Sequence, residues 1–275
     1  MMCGAPLVSI CVPLYNAKEF ISATIDSVIR QTYTNWEMII VDDHSVDGSW
    51  DIVSAYRDLR IRCIRNEKQL GGGANWNRVL SEARGEYVKL LCHDDLLGPD
   101  CLNRQVEAFR LDSNCSVSLV SCARDIIDQF GRPLMRRQWF RRDTFLDGKS
   151  AVRATLRAGT NMIGEPSATL FRKEDARCAG LFDATLPYVT DLDYWLRLLA
   201  VGDLYYLTDN LCSFRISPKS WSSQLVSYQS TQFCSLLMRE WRRGDCGLTA
   251  CDVFFGYILC GLNGLARRMW FSTQA

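Results

Sequence analysis

A chain of 275 residues, 48% of them hydrophobic, is long enough for one large domain or two smaller ones and buries a sizeable core, which argues against global disorder. A formal net charge of +1 gives no general attraction for nucleic acid, and none is expected as a partner. Thirteen cysteines without a C-x-x-C pair, beside only two histidines, speak against a zinc site or a disulfide scaffold and suit a reducing cytosol.

The opening Met1-Met2-Cys3-Gly4-Ala5-Pro6 lacks the basic and apolar segments of a signal peptide, so a cytoplasmic setting is expected. Leu7 to Val12 is an apolar, β-branched run that Pro13-Leu14-Tyr15-Asn16 interrupts, which predicts a strand and a loop. Asn16 with Glu19 resembles a capping box, and Phe20, Ile21, Ile25, Val28 and Ile29 follow at helical spacing. Met38 to Val41 predicts the second strand, followed by Asp42-Asp43 and a helix on Ile52, Val53 and Tyr56. Ile61 to Ile64 predicts the third strand and Asn75 to Ala83 the next helix, with Gly71-Gly72-Gly73 between them. Tyr87 to Leu91 predicts the fourth, leading to Asp94-Asp95; Pro99 opens a helix on Leu102, Val106 and Phe109, and Val117 to Val120 is the fifth strand. Strands alternating with helices in this way predict an α/β fold with a doubly wound, mostly parallel sheet.

The pattern changes after Ser121. Asp128 to Pro133 reads as a turn, and an irregular Arg-rich segment follows. Helices are predicted at Ser150 to Ala158 and Asp191 to Ala200, a strand at Leu204 to Leu207, and helix from Leu225 to the end. Val253 to Leu262 is apolar but short of the ~20 residues a bilayer crossing needs. The basic, aromatic ending Leu265 to Phe271 has two readings, an ordinary packed helix or a segment lying on a membrane surface.

No G-x-G-x-x-G follows the first strand, Asp143 replaces the first glycine of a P-loop ending in Gly148-Lys149-Ser150, and no G-x-S-x-G elbow is present. Instead, Tyr15, Asp42-Asp43, Gly71-Gly72-Gly73 and Asp94-Asp95 follow successive strands, and in a parallel sheet such loops converge on one crevice. An aromatic ring there stacks on a base, an acid accepts from a base N–H or a ribose hydroxyl, and a glycine turn lets backbone approach phosphate. Asp94 and Asp95 either hold a divalent cation against a phosphorylated ligand or serve as turn and cap residues.

Val8 to Asn16, Gln31-Thr32-Tyr33, Ile40 to Ser45, Ala83 to Tyr87, His93-Asp94-Asp95 and Thr190 to Leu198 together resemble the inverting family 2 glycosyltransferases of the nucleotide-diphospho-sugar transferase superfamily, over roughly residues 7–223. The resemblance implies a GT-A type fold: a donor-binding α/β half over residues 1–120, an acceptor-binding and catalytic-base half over 121–224, and a helical C-terminal extension over 225–275. It implies a metal-dependent, inverting transfer of hexosyl type from a nucleotide-diphosphate sugar, UDP preferred, to a saccharide or lipid-linked saccharide hydroxyl. The expected setting is cell-surface polysaccharide synthesis, cytoplasmic or peripheral at the cytoplasmic membrane face.

Carried over by motif, Tyr15 is expected on the nucleobase with Pro13 and Asn16 beside it, and Asp43 on base or ribose. Gly72, Asn77 and Arg215 are expected around the donor. Asp94 and Asp95 match the motif for Mn2+ or Mg2+ and the diphosphate, with Asp95 as the more direct ligand. Asp191 matches the catalytic base, and Glu165 is expected on the acceptor. An Asp at an ordinary pKa of about 3.9 is a weak base, which suffices when the acceptor hydroxyl loses its proton late. Asp193 is expected to be structural, paired with Arg197 four residues on. The chain departs from the family pattern at Cys92, Trp76, Thr190 and Ser217. Arg132, Arg136, Arg137, Arg141 and Arg142, interleaved with Trp139 and Phe140, read either as a face for an anionic lipid-linked acceptor or membrane, or as a solvated loop or subunit contact. His44 and His93 read as loop residues rather than metal ligands. Two alternatives stand beside the transferase: a nucleotide-sugar-binding module without turnover, and a sugar-phosphate nucleotidyltransferase, for which Pro13-Leu14-Tyr15-Asn16 lacks the glycine- and Arg-rich loop.

Overall fold

The computed structural model describes residues 4–218 and 220–274, with only the backbone from 270 onward. The four apolar runs of the first ninety residues become β1 (Val8–Leu14), β2 (Trp36–Asp42), β3 (Ile61–Arg65) and β4 (Tyr87–Leu90), paired in parallel in the order β3-β2-β1-β4. Successive residues of a strand point to opposite faces. Ile10, Val12, Met38 and Ile40 therefore enter one buried layer, and Cys11, Ile39, Val41 and Leu90 the other. Both faces of β1, β2 and β4 are covered, which is why these strands read as mostly apolar runs, whereas β3 at the sheet edge is half-buried and carries Arg62 and Arg65.

The layers are closed by α1 (Ile21–Ile29), α2 (Ser49–Ser54), α3 (Gly72–Ser81) and α4 (Cys101–Leu111). The capping box does not form. Helix α1 starts at Ile21 without a side-chain cap, and Asn16, at φ 46°, turns its Oδ1 to the Val46 N–H at 2.9 Å. That bond ties the loop after β1 to the loop after β2.

After the short β5 (Leu96–Leu97) comes β6 (Val117–Ile127), seven residues longer than its apolar signal. Arg124 and Asp125 hide the extension in the sequence, because a buried Arg paired with Glu165 takes a core position there. Next in the chain are β7 (Pro133–Arg137), β8 (Thr144–Leu146), α5 (Gly148–Arg157), β9 (Thr169–Arg172), α6 (Lys173–Ala179), α7 (Thr190–Leu199), β10 (Asp203–Arg215) and α8 (Trp221–Gln224). The sheet continues from β4 as β9-β6-β10-β5. Strand β9 is antiparallel to both β4 and β6, so β6 and β10 run in the direction of β1–β4 and the sheet is mostly parallel.

The C-terminal region is helical, as α9 (Gln229–Arg243) and α10 (Ala250–Gln274). A Cβ on Gly256 would strike the Leu156 carbonyl of α5, and one on Gly264 the Ser230 hydroxyl of α9, so α10 approaches both helices closely through its glycines. The buried Asp252 holds Arg153 at 2.8 Å and Arg157 at 3.1 Å. Asp193 of α7 pairs with Arg197 at 2.7 Å, as its spacing predicts, and also with Arg239 of α9. The extension is thus latched to α7. No helix among the described residues is long and apolar enough to cross a membrane. The aromatic side chains of the ending, Trp270 and Phe271, lie outside the described residues.

Candidate active site

The loops after β1, β2 and β4, the start of α3 and the start of α7 enclose a cavity of about 800 Å³. On one wall stand Pro13, Asn16 and the half-exposed ring of Tyr15. His93 places Nδ1 3.1 Å from the Pro13 carbonyl, joining the loop after β4 to the end of β1. Asp43 is buried, and its carboxylate accepts from the Leu70 and Gly71 N–H groups at 2.7 and 2.8 Å and from the Asn66 amide at 2.9 Å. It thereby shapes the glycine turn, in which Gly71 takes φ 89°. Gly72 is the next close fit, because a Cβ there would lie 2.7 Å from the Trp221 ring. Trp76, at a position where the family pattern differs, meets Trp221 edge to face at 5.7 Å. Asn77 is not on the cavity wall. Its amide brackets Phe182, donating to the carbonyl at 3.0 Å and accepting from the N–H at 2.8 Å, and so fixes the segment leading to α7.

Asp94 and Asp95 face different ways. Thr24 of α1 donates to the His93 and Asp95 carbonyls at 2.8 and 2.9 Å and holds the loop. Asp95 is fully buried, with one carboxylate oxygen accepting from the Ser167 hydroxyl and the other from the Arg215 N–H at 2.9 Å. Burial, followed by the neighbouring Asp94 charge, pushes the Asp95 carboxyl well above the usual carboxylate range. Asp94 lines the cavity, and its carboxylate makes no hydrogen bond or ion pair within the described residues. The geometry therefore favours Asp94 over Asp95 as the direct ligand of a cation. Among the described residues no three or more His, Cys, Asp and Glu side chains are placed to hold a metal ion by themselves. One free carboxylate suits Mg2+ or Mn2+, since Mg2+ is typically bound through one or two carboxylates and completed by substrate phosphates and water. Cys92, at the place of a third acid, also lines the cavity, and burial raises its thiol well above the ordinary range.

Arg215 also lines the cavity, but its donors are partly spent. Nε reaches the Asp94 carbonyl at 2.8 Å, a terminal nitrogen reaches the Asp128 carbonyl at 3.0 Å, and the guanidinium stands 4.9 Å over the Phe20 ring.

Asp191 sits in the first turn of α7 and lines the cavity. One oxygen accepts from the Leu192 N–H at 2.7 Å and the other from the Asn161 amide at 3.2 Å. Burial raises this carboxyl to about 7; the Leu192 N–H works against that, and the Glu165 charge adds to it. Thr190, at the usual Glu position, gives its hydroxyl to the Leu186 carbonyl at 2.7 Å. Glu165 lines the same cavity but is committed to an ion pair with the fully buried Arg124, with Arg137 at 3.9 Å. Burial pushes the Glu165 carboxyl up, yet the two guanidinium charges outweigh it and hold it at about 2. The segment from Gly164 to Ser167 thus touches both acid sites, since Asn161 brackets Gly164 at 3.0 Å and Ser167 reaches Asp95.

Several lining residues carry no motif in the sequence. Arg267 of α10 enters the cavity wall with hydrogen bonds to the Tyr188 hydroxyl at 2.7 Å and to Thr160 at 3.1 Å. Thr160 and Asn161 lie a few residues before Glu165, and Tyr188 lies two residues before the Thr190 to Leu198 segment. In the Arg-rich stretch, Trp139 and Phe140 stack on each other at 4.7 Å and turn against Tyr206, so its aromatic half packs inward.

The family model described as glycosyl transferase family 2 matches residues 9–180. A Bacillus subtilis protein provisionally named as the teichuronic acid biosynthesis glycosyltransferase TuaG is 32% identical over 224 residues, 79% of this chain and 82% of that protein. The Escherichia coli UDP-Glc:α-D-GlcNAc-diphosphoundecaprenol β-1,3-glucosyltransferase WfaP is 45% identical over 89 residues, 32% of this chain and 36% of that one. The mannosyltransferase PcManGT of Pyrobaculum calidifontis, solved with GDP-Man and Mn2+, shares the fold with a TM-score of 0.65 at 18% identity, over 95% of this chain and 74% of that chain. The chain thus shares the GT-A type fold, and it belongs to glycosyl transferase family 2.

Proposed function

We propose that this glycosyltransferase is inverting and metal-dependent, with Asp191 as the base and Asp94 as the protein ligand of the cation. The observation that carries the reading is that one cavity holds both an uncommitted carboxylate, Asp94, and a carboxyl raised to about 7, Asp191. A base with a pKa near the working pH accepts a proton far better than an ordinary Asp. Asp191 takes the proton of the acceptor hydroxyl as its oxygen bonds to the anomeric carbon and the bond to the nucleotide diphosphate breaks on the other face. The single displacement inverts that centre. Mn2+ or Mg2+ on Asp94 would supply positive charge to the departing diphosphate. Tyr15 offers a face for the base, Asp43 shapes the turn that Gly72 continues, and Trp221 closes over it.

UDP is the proposed nucleotide, since WfaP is named for a UDP-sugar donor, and the hexosyl acceptor is a saccharide carried on a lipid diphosphate, as in that name. The TuaG and WfaP names, one for teichuronic acid biosynthesis and one for a diphosphoundecaprenol-linked acceptor, support surface polysaccharide synthesis, and the setting proposed for it is the cytoplasmic membrane face. Residues 1–120 form the donor side in this reading, and 121–224 the acceptor side, to which Arg267 of the C-terminal extension adds a cation. The test is product analysis: a UDP-sugar panel with and without Mn2+ or Mg2+, followed by NMR of the anomeric centre. A product that retains the donor's configuration sinks the mechanism, and transfer unaffected by chelator sinks the metal assignment.

A further inference from the structure

Helix α10 is inside out for a helix on a protein surface. Such helices normally bury large apolar side chains and show water their polar face. Here the buried side carries Gly256, Cys260, Gly264 and the ion-paired Asp252. The outward side carries Phe254, Phe255, Ile258, Leu259, Leu262 and Leu265, each between 36% and 60% exposed. Their spacing of three and four residues makes one continuous stripe. A patch of this kind on a soluble surface marks a contact site.

Charge identifies the occupant. Asp252 is the only acid of α10, and it is buried, whereas Arg268 stands on the outward side. Arg157 of α5 lies 5.1 Å over the Phe255 ring at the stripe's edge, and Arg153 is exposed beside it. Asp252 offsets one of the Arg153 and Arg157 charges, so with Arg268 the edge of the stripe stays net positive. Such a stripe, on a helix whose described residues are not long and apolar enough to cross a membrane, is the pattern of a helix lying in the interface of an anionic bilayer. We infer that the outward face of α10 docks this protein on an anionic membrane surface, with the stripe among the acyl chains and the arginines at the headgroups. The same helix sends Arg267 from its inner side into the cavity, so a docked α10 holds the cavity wall about one helix diameter, about 10 Å, from the lipid surface. The docking rests on α10 and the adjoining edge of α5; only its use, access to a lipid-linked acceptor, rests on the transferase reading.

The test uses the full chain and sedimentation with vesicles of phosphatidylcholine, alone or with about a quarter phosphatidylglycerol. Wild type is expected to co-sediment with the anionic vesicles, less so at high salt. The double variant Phe254→Glu/Leu262→Glu is expected to lose at least about tenfold in vesicle affinity at unchanged Tm. Arg268→Glu, which leaves the stripe intact, is expected to weaken binding to the anionic vesicles specifically. No binding to anionic vesicles overturns the inference, as does equal binding by the double variant. A concentration-dependent dimer that the double variant abolishes, without vesicle binding, assigns the stripe to a second copy and also overturns it. The thermal shift with UDP and Mn2+ is read on the same samples: its absence refutes the donor site and leaves the vesicle result standing.

Discussion

The Arg215 N–H at the end of β10 donates to Asp95 at 2.9 Å, while the Arg215 Nε returns to the Asp94 carbonyl at 2.8 Å. This two-point contact turns one carboxylate inward and leaves its neighbour facing the cavity. The two acids should therefore fail differently. Asp94→Asn is expected to lower affinity for UDP in the presence of Mn2+ at least about tenfold with little change in Tm. Asp95→Ala strands the Ser167 hydroxyl and the Arg215 N–H, and at about 1–3 kcal/mol for each unpaired buried group it should cost about 2–6 kcal/mol in urea unfolding. Normal metal-dependent binding by Asp94→Asn would reassign the cation ligand.

With Asp191 as the proposed base, activity and stability are expected to respond to pH in opposite directions. Its pKa of about 7 means that the base form, and with it kcat, grows as pH rises to about 7 and then levels. An Asp with a raised pKa binds its proton more tightly when folded. Its contribution to stability is complete below the unfolded value of about 3.9 and is lost as pH rises through about 7. Asp191→Asn should thus reduce transfer by about 100-fold or more, keep UDP binding, and unfold at higher urea than wild type at pH 8 by about 1–3 kcal/mol, with the two nearly equal at pH 4. A variant equally unstable at pH 8 would contradict the raised carboxyl.

Glu165 shows the reverse sign. Held at about 2 by Arg124 and Arg137 against the effect of burial, it contributes stability above its unfolded value of about 4.3, and this is lost as pH falls through about 2. Glu165→Gln leaves the buried Arg124 charge uncompensated and should cost about 3–5 kcal/mol at pH 7. Replacing Arg124 by Met in the same chain should restore part of that loss. If Glu165→Gln instead keeps its stability and only weakens acceptor use, the residue is an acceptor contact and not a structural anchor.

Gly72→Ala puts a methyl group where the Trp221 ring lies. The expected result is weaker UDP binding and a shifted tryptophan emission as Trp221 moves. Adding Trp221→Leu should relieve the crowding. A Gly72→Ala protein with unchanged emission and binding would show that the ring yields at no cost.

The sequence alone determined whatever depends on neighbours in the chain. Apolar runs marked β1, β2 and β4 because both sheet faces bury them, the Asp193–Arg197 pair follows from one helical turn, and the motifs after successive strands named the family. Tertiary structure decided whatever depends on partners far away. Asp94 and Asp95 are adjacent and chemically alike, yet Ser167 and Arg215, 72 and 120 residues beyond Asp95, choose which one faces the cavity. Glu165 read as a free contact until β6, extended past its apolar signal, brought Arg124 to it. Hydropathy marks Val253 to Leu262 as apolar, but which way its large side chains face follows from the close approach that Gly256 and Gly264 permit to α5 and α9. A side chain's type is local information, whereas its orientation is set by which buried donors and surfaces it meets.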